Sequence, residues 1–165
     1  MSIRDIVIWP DPRLSTRCDE VEDLSAAAVL VADLLDTMYA AGGRGLAAPQ
    51  VGVLDRIFVM DASWKEGAVS PVACINPRLL SLSDERVPGP EACLSIPGVS
   101  ATVERARRVR LEYRQMDGAL VAREFDGFEA IIAQHEFDHL DGLVHFDRLA
   151  PEAARLLIAD YEALP

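Results

Sequence analysis

Between Asp23 and Gly43 the apolar residues Ala27, Leu30, Val31, Leu34, Leu35 and Met38 return every three or four positions. That spacing predicts a helix with one core-facing stripe, opened by Asp23 or Ser25 as N-cap and stopped by Gly42 and Gly43. RIFVMD (56–61) and PVACINP (71–77) are short β-branched and apolar runs closed by turn residues, which predicts two strands. From position 108 the residues Val109, Leu111 and Tyr113 alternate with Arg108, Arg110, Glu112 and Arg114, the signature of a half-buried strand. Asp117-Gly118 then turns it back into 119–125 as a hairpin. GFEAIIAQHEFDHLDG predicts a second helix with apolar flanks and Gly142 as its stop. A third begins near Pro151, a residue suited to the first helical position, and runs on through Leu156, Leu157 and Tyr161. Strands and hairpins set between helices, without regular strand-helix alternation, indicate the α+β class. The expectation is a single domain over 1–165. Short antiparallel sheets should pack around a central helix carrying HEFDH, flanked by an N-terminal and a C-terminal helix.

Composition narrows the function classes. The 165 residues are half apolar, enough for one buried core. Net charge is −11, and Lys65 is the only lysine. This balance argues against direct nucleic-acid binding and against adhesion to an anionic membrane. Arg105, Arg107, Arg108, Arg110 and Arg114 come closest to a basic patch, and are read as a solvated, salt-bridged face. No apolar run approaches the roughly 20 residues that span a bilayer, and MSIRDIVIWPDPRL lacks the apolar core of a secretory signal. Cys18, Cys74 and Cys93 are too few and too scattered for a disulfide framework, so a reducing cytoplasm is expected.

The candidate chemistry lies in HEFDHLDGLVH (135–145), which contains every histidine of the chain. On a helix, His135 and His139 lie one above the other and present two imidazoles to one point. Glu136, offset by about 100°, can reach a metal-bound water without being a ligand itself. A catalytic site of this kind takes three protein ligands and keeps one position open. His145 completes the spacing H-E-x-x-H-x-x-G-x-x-H of the metzincin proteases. Against that assignment, those enzymes carry a methionine turn after the third histidine, whereas Met1, Met38, Met60 and Met116 all precede it. Cys93, in PEACLSIPG, is the competing third ligand, because an extended segment between Pro90 and Pro97 can hold a thiolate toward the helix. Cys18, in a polar loop, and Cys74, inside a buried strand, read as inert thiols.

GRGLAAPQ (43–50), EACLS (91–95) and QHEFDHLDG (134–142) resemble, in order, the three motifs of the peptide deformylase family. The likeness extends from IVIWPDPRL through Tyr39-Ala40-Ala41 and Ile75-Asn76-Pro77 to Asp147-Arg148-Leu149, nearly the whole chain. It implies a hydrolase that removes the formyl group from the N-terminal formylmethionine of new polypeptides and releases formate. It further implies that Cys93, His135 and His139 hold one divalent metal ion, with water as the fourth ligand and Glu136 as proton shuttle. The oxyanion donors it assigns are the Gln50 side-chain amide and the Leu94 backbone N–H. Gly43, Arg44, Gly45, Leu46, Glu91 and Ala92 are the implied substrate-binding residues. A thiolate with two imidazoles suits Fe²⁺, Zn²⁺, Ni²⁺ or Co²⁺, and the resemblance favours Fe²⁺ in the cell. The implied partners are formylated N-termini of nascent chains.

Three positions depart from the family pattern. Arg44 stands where a small or branched apolar residue is usual, Gly42 where an acidic one is frequent, and Ala92 where the second motif has glycine. A substrate-specialised or weakly active paralogue is therefore the alternative expectation, followed by a zincin-type metallopeptidase using His145. With no acidic neighbour at position 42, Arg44 is expected to seek a carboxylate from the substrate.

Competition with a chromophoric chelator separates the two ligand sets. Cys93→Ser should strip or sharply weaken the metal, because a hydroxyl is a poor ligand at neutral pH, and His145→Ala should leave metal affinity nearly intact. The opposite pattern would restore the metzincin assignment.

Overall fold

The computed structural model describes residues 2–165. Helix α1 (Leu24–Ala40) starts where expected: the Asp23 carboxylate accepts hydrogen bonds from the backbone N–H groups of Ser25 and Ala26 at 2.8 and 3.3 Å. At its other end Gly42 adopts φ +70°, the Gly42 N–H reaches the Tyr39 carbonyl at 3.0 Å, and the Gly43 N–H reaches that of Met38 at 2.9 Å. This is a Schellman closure, and it needs a residue tolerant of the left-handed region at position 42. The departure at Gly42 therefore has a conformational use.

Seven strands follow: β1 (Gly45–Ala47), β2 (Ile57–Met60), β3 (Val72–Leu82), β4 (Arg86–Cys93), β5 (Ile96–Ala106), β6 (Arg108–Arg114) and β7 (Leu120–Asp126). Five form an antiparallel sheet in the order β1-β2-β3-β6-β7, while β4 and β5 make a separate two-stranded ribbon. Helices α2 (Phe128–Leu140) and α3 (Pro151–Glu162) complete the chain. The α+β class and the central HEFDH helix are as expected.

Three strand assignments differ from the expectation, the first being the short strand β1, which was not foreseen. The strand expected to end at Pro77 continues to Leu82 as β3, through a bulge between Ile75 and Arg78. Asn76 sits there at φ +51°, and its side-chain amide is tied to the backbone N–H and carbonyl of Val21, both at 2.8 Å. A bulge interrupts the ladder, so Pro77 has no ladder bond to supply. The ribbon β4-β5 was not among the expected strands; only the segment between Pro90 and Pro97 was expected to be extended. An isolated ribbon consists only of edges, half of its backbone groups point outward, and prolines two apart can occupy that half.

The position of the sheet explains the burial of β2. Ile57 and Val59 face a cluster with Leu30, Leu34 and Met38 of α1, whereas Phe58 and Met60 face one with Ala130, Ala133 and Leu140 of α2. The sheet thus lies between α1 and α2, and its second strand has no polar face. Helix α2 is buried on most of its circumference, including Gln134, His135, Glu136, Asp138 and His139. Helix α3 lays Leu157, Ile158 and Tyr161 on a third cluster formed by Leu14, Cys93, Ile96 and Phe146. Among the described residues no helix is long and apolar enough to cross a membrane.

Gly142 ends α2 with the same closure as α1: its N–H reaches the His139 carbonyl at 3.2 Å and the Leu143 N–H reaches that of Asp138 at 3.0 Å. Its φ is +76°, and a Cβ would lie 2.8 Å from the Ser15 carbonyl carbon and 2.9 Å from its oxygen. Gly142→Ala should therefore cost at least about 2 kcal/mol in urea unfolding, from left-handed strain plus a backbone collision. Gly67→Ala, at φ +85° with nothing within 4 Å, should lose about 1 kcal/mol from strain alone.

Candidate metal centre and active site

Helix α2 sets His135 and His139 one turn apart, with ring centroids 4.9 Å from each other. Cys93 ends β4, just before the turn into β5, and its Sγ lies 3.5 Å from His139 Nε2. One ligand atom from each of these three buried residues falls within 4.8 Å of the others. The Nδ1 of His135 is held by Glu91 Oε1 at 2.8 Å, which leaves Nε2 for an ion. One thiol and two imidazoles converging in this way fit a single divalent ion with an open coordination position.

His145 does not join the group. It begins the 3₁₀ turn His145–Arg148, is 1% exposed, and stacks edgewise on Phe146 and His135 at centroid distances of 4.8 and 6.2 Å. Burial pushes it down to about 4, so it packs as a neutral ring. Cys18 and Cys74 are free, buried and far from thiolate character, burial pushing Cys18 up to about 11 and Cys74 upward as well.

A buried ionic chain stands behind His135. Arg105, 4% exposed, donates from Nε and Nη2 to the two oxygens of Glu91, each at 2.9 Å, and from Nη1 to Asp138 Oδ2 at 2.6 Å. Arg148 grips Asp138 from the other side at 2.6 and 2.9 Å. Burial alone would raise the Glu91 carboxyl, but the Arg105 fork and His135 outweigh it and hold it down to about 2. Arg105 thus corrects the expectation of a solvated arginine face. Sequence reasoning missed this role, although Arg105 shares strand parity with the buried Ala101 and Val103. Glu91, expected at the substrate, lines the cleft but has its carboxylate committed to Arg105 and His135.

The open side of the centre is a cleft of about 440 Å³ whose apolar walls include Leu94, Val99, Phe128, Ile131 and Ile132. Gln50, 1% exposed, accepts the Ala47 N–H at Oε1 (2.9 Å), and this fixes the sense of its amide. Its Nε2 is thereby turned to Ser95 Oγ at 3.1 Å and toward Cys93 Sγ at 3.6 Å. Glu136 is 5% exposed, and burial pushes its carboxyl up to about 7 despite the nearby His135. Gly45 makes room for that carboxylate, since a Cβ there would lie 2.8 Å from Glu136 Cδ. A Cβ on Gly43 would lie 2.8 Å from Leu94 Cδ1. The clash at Gly45 meets the body of a buried side chain, whereas the one at Gly43 meets only the end of Leu94, which can shift. Leu46, expected at the substrate, is fully buried in the α1 cluster instead, because strand alternation turns it away from the face of Gly45.

A profile of the polypeptide deformylase family matches residues 3–155. The chain belongs to the polypeptide deformylase family. It is 42% identical over 169 residues to the peptide deformylase of Bartonella bacilliformis, covering 98% of this chain and 93% of that relative. It is 45% identical over 152 residues to peptide deformylase 1 of Corynebacterium glutamicum, covering 92% and 89%. The crystal structure of peptide deformylase from Ehrlichia chaffeensis in complex with actinonin superposes with a TM-score of 0.90 at 37% identity, covering 98% of this chain and 97% of that one.

Within this deformylase frame Arg44 corrects a second expectation. Its guanidinium does not lack an acidic partner in the chain: Nη1 and Nη2 engage the two oxygens of Glu66 at 2.9 and 2.7 Å, and Nη1 also donates to the Ala62 carbonyl. The group lies 5.3 Å over the Phe128 ring. Gly42 removed a neighbour in sequence, and Glu66 replaces it through the fold.

Glu91→Gln tests the support behind His135. Metal affinity, measured by chelator competition, should fall about 10- to 100-fold. The folded carboxyl titrates at about 2 against 4.5 when free, so its stabilisation is present above pH 4.5 and is lost as pH falls toward 2. The variant should accordingly show a shallower loss of stability over that acid range.

Proposed function

We propose that the chain, over 1–165, works as one metal hydrolase domain that removes the formyl group from the N-terminal formylmethionine of new polypeptides. The observation that carries this reading is the convergence of Cys93, His135 and His139 beside a buried Glu136 and an oriented Gln50 amide, at the base of an apolar cleft. Cys93 and the Nε2 atoms of His135 and His139 would hold the ion. A divalent ion bound there supplies Lewis acidity, which makes water nucleophilic near neutral pH. We assign Fe²⁺ as the ion in the cell, on the family resemblance and the thiolate-imidazole donor set.

Glu136 is the proton carrier. A carboxyl that burial pushes up to about 7 can both accept and release a proton near neutrality. As water adds to the formyl carbon, Glu136 takes a proton from it. It then delivers that proton to the amine nitrogen as the C–N bond breaks, leaving formate and a free N-terminus. The formyl oxygen gains negative charge in between, and the Gln50 Nε2 amide together with the Leu94 N–H would meet it. Leu94, Ile131 and Ile132 offer an apolar wall for the methionine thioether, while Gly43, Arg44 and Gly45 border the path of the peptide backbone. Ala92 is exposed on the face of β4 opposite Glu91 and Cys93, so its methyl adds to the rim without crowding the ligands. The reaction is assigned to the cytoplasm, where free thiols such as these three persist.

Formate release from a formyl-Met peptide, at matched metal occupancy, tests the reading. Glu136→Gln should retain the metal and the fold and lose turnover by at least about a hundredfold, since an amide keeps the shape and cannot carry the proton. Turnover within tenfold of the parent would remove Glu136 from the shuttle role.

A further inference from the structure

The charged groups around the cleft differ in what holds them. Glu91 is locked between Arg105 and His135, Glu136 is buried at the base, and Arg44 is spent on both oxygens of Glu66. Lys65 also lines the cleft, and among the described residues its ammonium makes no ion pair within 4 Å and no hydrogen bond, its charge acting on the neighbouring Glu66 only from farther away. Its ammonium lies over the face of Trp64, 5.6 Å from the ring centroid, and the side chain is exposed, so it stays open to a further partner. Glu66 is adjacent in sequence, but the Arg44 fork occupies both of its oxygens.

The turn that carries Lys65 is fixed to the cleft. Trp64 donates its indole N–H to the Gly43 carbonyl at 2.8 Å and packs edgewise on Tyr39 at 5.2 Å, while the Asp61 N–H binds the Arg44 carbonyl at 2.9 Å. The short helix Trp64–Glu66 therefore keeps a constant place beside residues 43–45, which border the proposed peptide path. In a chain with net charge −11, its only lysine stands at the mouth of the site.

We propose that Lys65 is a specificity-determining residue that favours peptides bearing an acidic side chain one or two residues after the formylated methionine. The proposal rests on the deformylase reading and names the substrate class that this mouth selects. The fold's own carboxylate neutralises Arg44, so the selectivity expected of that arginine passes to the lysine. An exposed pair of this kind acts within a Debye length, is weakened by salt, and changes rates by a few fold.

The measurement is kcat/KM for formate release by the metal-loaded enzyme on formyl-Met peptides carrying Glu, Ala or Lys at the second or the third residue, at low and high salt. Glu should exceed Lys by roughly fivefold at one of the two positions, with the difference in KM rather than kcat and reduced by salt. Lys65→Met should abolish the preference and Lys65→Arg should keep it. Equal rates for Glu and Lys peptides in the parent, or a preference that survives Lys65→Met, would overturn the proposal. Absence of formate release from every peptide would instead overturn the proposed function.

Discussion

The site is assembled around one buried cation. Arg105 reaches from β5 to Glu91 on β4 and to Asp138 on α2, joining the ribbon that carries Cys93 to the helix that carries His135 and His139. These elements are not neighbours in the main sheet, and the two-stranded ribbon has no third strand to hold it in place. A charge taken out of water has to be matched by charges in the right places. Arg105 therefore tolerates only an arrangement in which both carboxylates close on it, and that arrangement brings sulfur and imidazoles together.

The five-stranded sheet supplies the second constraint. With apolar clusters on both of its faces, β2 fixes the distance between α1 and α2, and β1 follows it along one edge. The Schellman closure of α1 passes directly into Gly43. Thus the residue that ends one helix begins the wall of the cleft, and the glycines there let Leu94 and Glu136 approach the strand closely.

Electrostatics divides the cleft into a base and a rim. At the base, burial raises Glu136 while the ion pairs hold Glu91 down, so two carboxylates near the same histidine have different proton affinities. One is suited to carrying protons and the other to orienting a ligand. At the rim, charge is set by a turn distant in sequence, Trp64–Glu66, which meets Arg44 only in the folded protein.

Much of this was legible in the sequence. Apolar spacing marked α1 and α3, alternation marked β6 and its hairpin, and the i, i+4 histidines with Glu136 marked the metal helix, because each signal lies within one element. Cys93 was put forward from its extended setting and supported by motif order, but β4 and β5 were not foreseen as strands: their prolines are tolerated by the geometry of a free ribbon, which no local pattern expresses. The bulge at Asn76 depended on Val21, the neutralisation of Arg44 on Glu66, and the burial of Arg105 on Glu91 and Asp138. Local periodicity determined which residues could form helices and strands and which side chains could carry chemistry. Tertiary structure alone decided which charges are paired and which remain free, because the energy of a charge depends on partners brought close from distant parts of the chain and on the water excluded around them.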